Sequence, residues 1–211
     1  MVIAPALRNW RLDMKLNAIE RAAMNNPLRA AHQHHREATW FRQLAGGSLA
    51  GQHVLEIGCG RGVGSEVILD RLGAATVTAF DLDESMVELA RRRLCGRPVS
   101  RSVGDVCAID EPSGSVDTVV DFGIIHHVPD WQQSIEEISR VLRPGGLVLF
   151  EEVPRHVLDT WAFRTFTVHP RENRFEAAEF AAELARHGLH GFGLIQQHLA
   201  GMVFVGAARK N

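Results

Sequence analysis

Glycines occupy every second position in one short stretch that lies between an apolar run and a helical pattern. The stretch reads Glu56-Ile57-Gly58-Cys59-Gly60-Arg61-Gly62-Val63-Gly64. Because glycine has no side chain, this spacing lets backbone N–H groups and the N-terminus of the following helix face a bound group. Glu56 adds a carboxylate beside that position. The stretch therefore predicts a turn that binds a ligand mainly through its backbone.

The same turn does not match the fingerprint of dinucleotide binding. Counted from Gly58, the position that would complete G-x-G-x-x-G is Val63, so the pyrophosphate seat of that motif is missing. An oxidoreductase that uses NAD in such a crevice is thereby disfavoured, although it stays as an alternative.

Two further carboxylates follow the next two predicted strands. Asp81 ends the second strand, 23 residues after Gly58, where a carboxylate can accept both hydrogen bonds from a ribose diol. Asp105, in Gly104-Asp105-Val106, can accept a hydrogen bond from an exocyclic amine such as that of adenine. Either acid alone could simply cap a helix. With Glu56, they predict a nucleoside ligand at the carboxyl edge of a parallel sheet.

Candidate bases follow the fourth and fifth predicted strands, as the pairs His126-His127 and Glu151-Glu152. The chain has no tyrosine, so histidine and glutamate are the candidates for a general base. Since successive side chains alternate in direction, we expect one residue of each pair to face the crevice, and we favour His127 and Glu152. The alternative for His127 is a structural, hydrogen-bonded role.

No metal site is predicted. His32, His34 and His35 are spaced i, i+2 and i+3, so they do not share one face of a helix, and we expect no acidic or cysteine partner beside them. The three cysteines are far apart in the chain and form no CxxC pair, which argues against a zinc site and against a disulfide framework.

Short apolar runs alternate with helical patterns from about Val54 onward, which predicts βαβ units and a parallel sheet. The predicted strands are 54–57, 75–82, 100–106, 116–125 and 146–153, and the predicted helices between them are 65–72, 84–94 and 131–142. A helix at 175–187 follows. Strands at 189–198 and 202–208, joined at Ala200-Gly201, predict an antiparallel hairpin that closes the sheet.

Six ordered blocks of this sequence resemble the class I S-adenosylmethionine-dependent methyltransferases, near the ubiquinone/menaquinone-type and other small-molecule enzymes. The blocks are Val54-Leu55-Glu56-Ile57-Gly58-Cys59-Gly60-Arg61-Gly62, Phe80-Asp81-Leu82-Asp83-Glu84-Ser85-Met86, Gly104-Asp105-Val106, Val116-Asp117-Thr118-Val119-Val120, Ile125-His126-His127-Val128 and Val141-Leu142-Arg143-Pro144-Gly145-Gly146. The resemblance covers residues 50–153. It implies an α/β fold with a doubly wound, mostly parallel seven-stranded sheet whose last-inserted strand is antiparallel.

The resemblance also implies positions for the cofactor, S-adenosylmethionine. Glu56 and the glycines Gly58, Gly60 and Gly62 would lie near its methionine part, Asp81 at its ribose, and Asp105 with Val106 at its adenine. The remaining cofactor contacts predicted from these blocks and from the end of the fourth strand are Cys59, Leu82, Met86 and Phe122.

The implied activity is transfer of a methyl group to a small organic acceptor, by in-line displacement at an O, S, C or N nucleophile. Family members that methylate amino groups of nucleic acids and proteins often carry an Asn/Asp-Pro-Pro-aromatic block after the fourth strand. This chain has Asp121-Phe122-Gly123-Ile124 instead, which disfavours such acceptors. A protein that binds the cofactor without transferring its methyl group is a further alternative.

Charge and hydropathy restrict the partners. Lys and Arg number 23 against 25 Asp and Glu, so no basic surplus favours nucleic acid. We see no signal peptide and no apolar stretch long enough for a bilayer, and we expect a cytoplasmic protein with reduced thiols that acts on a partly hydrophobic small molecule.

The chain length of 211 residues favours one main domain. We expect an N-terminal helical cap at 1–45, formed by two helices divided near Asn25-Asn26-Pro27, and an α/β domain at 46–211. The segment 154–174 holds Trp161, Phe163 and Phe166. It is either a lid over the crevice or a cover for the sheet edge.

Overall fold

The computed structural model describes residues 26–166, 169–191 and 196–211. Eight strands lie in these residues: β1 His53–Ile57, β2 Thr76–Asp81, β3 Val99–Val103, β4 Val116–Asp121, β5 Leu142–Glu152, β6 Leu189–Gly191, β7 Gln196–His198 and β8 Val203–Lys210. They form one sheet in the order β3-β2-β1-β4-β5-β8-β6, with β7 also paired to β8. The first five strands are parallel and β8 is antiparallel to β5, which confirms the predicted doubly wound fold.

The far edge of the sheet explains how eight strands fit a sheet predicted to have seven. Strand β5 pairs with residues 204–209 of β8 on one side, so β6 and β7 share the other side of β8. The predicted strand 189–198 is therefore seen as two short pieces along one edge. Residues 192–195 between them lie outside the described residues.

Helices cover both faces of the sheet. In chain order they are α1 Pro27–His32, α2 Ala38–Leu44, α3 Val63–Val67, α4 Glu84–Arg93, α5 Trp131–Val141, α6 Arg155–Leu158, α7 Trp161–Phe166 and α8 Ala177–Arg186. A π-helical turn, Gln33–Glu37, joins α1 to α2, and another, Ile68–Leu72, extends α3. The predicted helix 65–72 thus begins two residues early, and Gly73 ends it in the left-handed conformation.

Two predicted strands are shorter than expected because an aspartate ends each of them. The predicted strand 116–125 stops at Asp121, whose Oδ1 accepts hydrogen bonds from the N–H groups of Gly123 and Ile124, each at 2.9 Å. The predicted strand 100–106 stops at Val103, and Oδ1 of Asp105 accepts from the N–H of Cys107 at 2.9 Å. A local side-chain acceptor of this kind turns the backbone out of the sheet.

Residues Arg143-Pro144-Gly145, which lie between the predicted helix 131–142 and the predicted strand 146–153, belong to β5. Val116 of β4 pairs with Leu142, and the next partner pair is Thr118 with Leu147. The intervening residues of β5 are therefore accommodated as an irregularity in the register.

Described residues 26–44 belong to the predicted N-terminal cap. The helix begins at Pro27, and the side chain of Asn26 caps it by accepting a hydrogen bond from the N–H of Arg29 at 2.8 Å. Residues 1–25, which include the other predicted helix, lie outside the described residues. Phe41 of α2 is fully buried against the sheet core.

The segment 154–174 contains α6 and α7. Trp161 is 76% exposed, so its side chain does not cover the sheet edge. The side chains of Phe163 and Phe166 lie outside the described residues. No helix in the described ranges is long and apolar enough to cross a membrane.

Candidate active site

A cleft lies at the carboxyl ends of β1, β2 and β4, with an empty volume of about 1090 Å³ that includes the open space at its mouth. Open α/β sheets bind ligands at this edge. The predicted site residues that line the cleft are Glu56, Gly58, Cys59, Gly60, Asp81, Leu82, Met86, Asp105, Val106, Phe122 and His127. Two predicted residues are not among the lining residues, Gly62 and Glu152.

The glycine turn leaves room for a ligand at Gly60. Its φ is +51°, and a Cβ added there would meet no atom within 4 Å, so the backbone borders open space. Gly62 is different, because a Cβ there would lie 2.8 Å from the side chain of Leu94. Gly62 therefore allows α3 and α4 to approach each other and does not border the cleft.

The turn uses several of its backbone N–H groups internally. Cys59 N–H donates to the carbonyl of Phe80 at 2.9 Å, and Gly62 N–H donates to the carbonyl of Cys59 at 2.8 Å. Gly60 N–H donates to Oδ2 of Asp81 at 2.8 Å. The expectation that these N–H groups face a ligand is therefore wrong for these three residues, since protein oxygens already accept from them.

Asp81 links the turn to the loop after β2. Its Oδ2 accepts from Gly60, and its Oδ1 accepts from the N–H of Asp83 at 2.9 Å. These two bonds fix the carboxylate at the cleft wall, and a carboxylate oxygen has two lone pairs with which to accept. Asp81 can thus hold the turn and still accept from a diol.

The opposite end of the cleft combines an acid with apolar walls. Asp105 is buried, and the apolar residues around this end of the lining are Phe80, Leu82, Met86 and Val106. Apolar walls with a carboxylate among them suit an aromatic base with an amino group.

Glu56 is buried beneath the turn, with 2% of its surface exposed. The hydroxyl of Ser65 donates to its Oε2. Burial raises the pKa of Glu56 to about 8, although the Ser65 hydrogen bond acts in the opposite direction. Gly64 makes this packing possible, since a Cβ there would lie 2.7 Å from the ring of Phe122.

His127 lines the cleft, whereas Glu152 faces the protein interior. Oε1 of Glu152 accepts from the N–H of Ile125 at 2.7 Å, and Oε2 accepts from the N–H of His126 at 3.2 Å and contacts its Nδ1 at 2.5 Å. Contrary to the prediction that it faces the crevice, Glu152 holds the 3₁₀ turn Ile125–His127. Glu151 and Glu152 are still paired with β8 at the end of β5, so alternation along the strand is intact, and it is the backbone of the turn after β4 that meets the carboxylate of Glu152.

The charge states of these two side chains follow from burial. Burial lowers the pKa of His127 well below its ordinary value, and the neighbouring His126 and His169 add to this shift. Burial raises the pKa of Glu152 to about 7. His127 therefore presents a neutral imidazole to the cleft at neutral pH.

The helical cap contributes residues that the sequence patterns did not indicate. Gln33, in the π-helical turn, lines the cleft. Arg29 forms an ion pair with Glu37, lies 3.8 Å from Oε1 of Glu151, and donates to the carbonyl of Phe122 at 3.4 Å. These contacts attach the cap to the carboxyl edge of the sheet.

His32 lies 3.6 Å from Glu37, so the expectation that no acidic residue accompanies this histidine cluster is wrong. Nη1 of Arg29 contacts the same oxygen, Oε1 of Glu37. A guanidinium cation thus already accompanies this carboxylate.

Residues 55–150 match the family model described as a methyltransferase domain. A probable S-adenosylmethionine-dependent methyltransferase of Mycolicibacterium smegmatis is 33% identical over 174 residues, which are 76% of this chain and 66% of the relative. A ubiquinone biosynthesis O-methyltransferase of Pseudomonas aeruginosa is 30% identical over 79% of this chain and 63% of the relative. The chain thus spans slightly less than two thirds of these relatives' lengths.

Among solved structures, a SAM-dependent methyltransferase from Aquifex aeolicus superimposes with a TM-score of 0.73 and 20% identity. The superposition covers 93% of this chain and 100% of that structure. At 20% sequence identity, this structural similarity shows that the two proteins share a fold.

Proposed function

This chain belongs to the class I S-adenosylmethionine-dependent methyltransferases, and from that premise we propose that it moves the methyl group of S-adenosylmethionine to a hydroxyl of a small, partly hydrophobic acceptor. One observation carries the proposal. The carboxylates of Glu56, Asp81 and Asp105 border one cleft, at positions suited to an amine, a diol and an exocyclic amine.

The residues of the cleft fit the cofactor. Gly60 borders open space where a side chain would fill the cleft. Glu56 offers an acceptor for the ammonium group, Asp81 for the ribose hydroxyls, and Asp105 for the adenine amine. The apolar wall around Val106 and Met86 suits the adenine ring. When bound, the sulfonium of the cofactor supplies an electrophilic methyl carbon.

The protein's part in the reaction is chiefly to position the acceptor in line with that methyl carbon. The acceptor side of the cleft is formed by Gln33, Gly123, Ile124, His127 and Val128. In our proposal, the imidazole of His127 accepts the hydroxyl proton as the acceptor reacts. Glu152 is a positioning residue that holds the 125–127 turn from behind.

Two features support a hydroxyl on a partly hydrophobic molecule. The acceptor side presents the apolar Ile124 and Val128 beside the polar amide of Gln33. The relative from Pseudomonas aeruginosa is named for O-methylation in ubiquinone biosynthesis. We extend the proposal to the cap: the described residues 26–44 close the acceptor side through Gln33. The lid is formed by the described residues of segment 154–174, of which His169 stacks on His127.

Isothermal titration with S-adenosylhomocysteine and with NADH tests the cofactor assignment. We expect one molecule of S-adenosylhomocysteine to bind per chain with micromolar affinity, and NADH not to bind. Transfer of a labelled methyl group to a panel of phenols, catechols and hydroxylated fatty acids then tests the reaction. Absence of binding by both S-adenosylmethionine and its product overturns the proposal, and binding without transfer to any acceptor supports a protein that only binds the cofactor.

A further inference from the structure

Three histidines from two separate segments meet beside the acceptor side of the cleft. His126 and His127 lie in the turn after β4, and His169 comes from the segment between α7 and α8. The ring centroid of His127 lies 4.3 Å from that of His126 and 4.3 Å from that of His169. The ring centroids of His126 and His169 are 5.3 Å apart. One ligand nitrogen of each ring lies within 4.8 Å of the others.

A buried carboxylate supports one of these rings from behind. Oε2 of Glu152 contacts Nδ1 of His126 at 2.5 Å, and the same carboxylate accepts from the backbone of the turn. Histidines that bind metals almost always engage a carboxylate, carbonyl or water through their other nitrogen, which fixes the tautomer and the ring orientation. Nε2 of His126 is thus the nitrogen directed to a metal.

We propose that His126, His127 and His169 bind a divalent transition-metal ion of the zinc class. Three imidazoles with no carboxylate among the ligands favour Zn²⁺, Co²⁺ or Ni²⁺ over Mg²⁺ and Ca²⁺, which prefer oxygen. Zinc–nitrogen bonds of about 2.0–2.1 Å require the three ligand nitrogens to converge on one point, and they already lie within 4.8 Å of one another. Rotation of the rings about their side-chain torsions brings them to the ion.

Three protein ligands leave a fourth position for a ligand from solution, as in catalytic zinc sites. His127 borders the cleft, so this position opens towards the proposed acceptor. An acceptor oxygen bound there would be oriented and made more acidic by the ion. This last step rests on the proposed function, whereas metal binding does not. The imidazole nitrogen of His127 cannot bind a metal and accept a proton at once. With the ion bound, the acceptor hydroxyl would therefore lose its proton to solvent as its oxygen binds the ion, whereas His127 accepts that proton in the metal-free protein.

Metal binding is measured with full-length protein that has been stripped with a chelator. We expect one Zn²⁺ per chain by titration, and, with Co²⁺ instead, the visible absorption bands of a four-coordinate site. His169→Ala should weaken zinc binding at least 100-fold, and Glu152→Gln about 10- to 100-fold. His156→Ala is the matched control, because its Nδ1 also contacts a carboxylate, that of Glu176 at 2.8 Å, outside the cluster.

The result does not depend on the methyl-transfer assay. Each variant is first checked for folding by circular dichroism and for S-adenosylhomocysteine affinity, which we expect to stay within a factor of three. If His126→Ala does not fold, His169→Ala keeps the test decisive, since His169 lies outside the turn. Failure of the folded wild-type protein to bind Zn²⁺ at 100 μM, or binding that His169→Ala leaves unchanged, overturns the proposal.

Discussion

At the scale of single residues, carboxylates in the cleft have structural roles besides the binding roles that we propose for them. Asp81 braces the glycine turn through Gly60 and the loop after β2 through Asp83. Glu56 is buried with a raised pKa, so it is largely protonated at pH 7 in the absence of a charged ligand. A ligand that places a positive charge beside Glu56 therefore shifts this carboxyl group towards its ionised form.

Asp81→Asn should weaken binding of S-adenosylhomocysteine about 10- to 100-fold, because an amide replaces one of two carboxylate oxygens and the negative charge is lost. Isothermal titration measures this. Asp83→Asn is the control, since the carboxylate of Asp83 caps α4 through the N–H of Ser85 at 3.0 Å. Equal losses in the two variants would contradict the role of Asp81.

Binding of the cofactor should release about one proton at pH 7. The pKa of Glu56 is about 8 in the cofactor-free protein, and an adjacent ammonium group favours the carboxylate, which lowers that pKa. Affinity should therefore rise between pH 6 and pH 8. Titrations in buffers of different ionisation enthalpy count the proton. Glu56→Gln should abolish this buffer dependence, and its persistence in that variant would assign the proton to another group.

At the scale of elements, the cap is joined to the sheet by buried charges. Arg29 of α1 lies between Glu37 of the π-helical turn and Glu151 at the end of β5. Burial lowers the pKa of Arg29, whereas Glu151 acts to raise it. A network of buried charges is compatible with a stable fold only while every charge keeps its partner, because an unpaired buried charge lowers the free energy of unfolding. It fixes the position of Gln33 on the cleft wall.

Arg29→Met should lower the free energy of unfolding by about 3–5 kcal/mol, because it leaves two buried carboxylates without their countercharge. Urea denaturation followed by circular dichroism measures this loss. Arg36→Met, at an exposed position of the same helical segment, should change the stability by less than about 0.5 kcal/mol. A loss below 1 kcal/mol for Arg29→Met would show that the pair does not hold the cap.

At the scale of the whole molecule, the described residues pack in two apolar clusters. One holds a group of contacting aromatic rings that are not themselves among the cleft-lining residues: Trp131, Phe150, Phe175, Phe180 and Phe204. The ring of Phe180 in α8 contacts all four others. This cluster joins the antiparallel end of the sheet to the parallel part that bears the site.

Phe180→Ala should destabilise the protein by about 3–5 kcal/mol through loss of packing and creation of a cavity. Thermal unfolding measures the change, and affinity for S-adenosylhomocysteine at 15 °C should stay unchanged. Trp161→Ala, which removes an exposed ring, should leave the stability within about 0.5 kcal/mol of the wild type. A large loss of affinity for S-adenosylhomocysteine in Phe180→Ala would mean that the shape of the cleft depends on the packing of this aromatic cluster.

The sequence by itself determined the order of strands and helices and most of the residues that line the cleft. Strand, glycine turn and helix are local features, since periodicity and missing side chains act within a few residues. The carboxyl ends of β1 and β2 must share an edge once the sheet is parallel, so the sequence alone places Glu56 and Asp81 on one cleft. The right-handed connections of parallel strands leave little freedom there.

Tertiary structure decided what depends on contacts between distant segments. The hydrogen bonds of Asp121 end β4 four residues early, and this turn directs His127 to the cleft and Glu152 to His126. Gln33 reaches the cleft through a cap held by buried ion pairs, and His169 meets His126 and His127 across more than forty residues. Local sequence periodicity does not predict such long-range contacts, because they depend on how separate elements pack together.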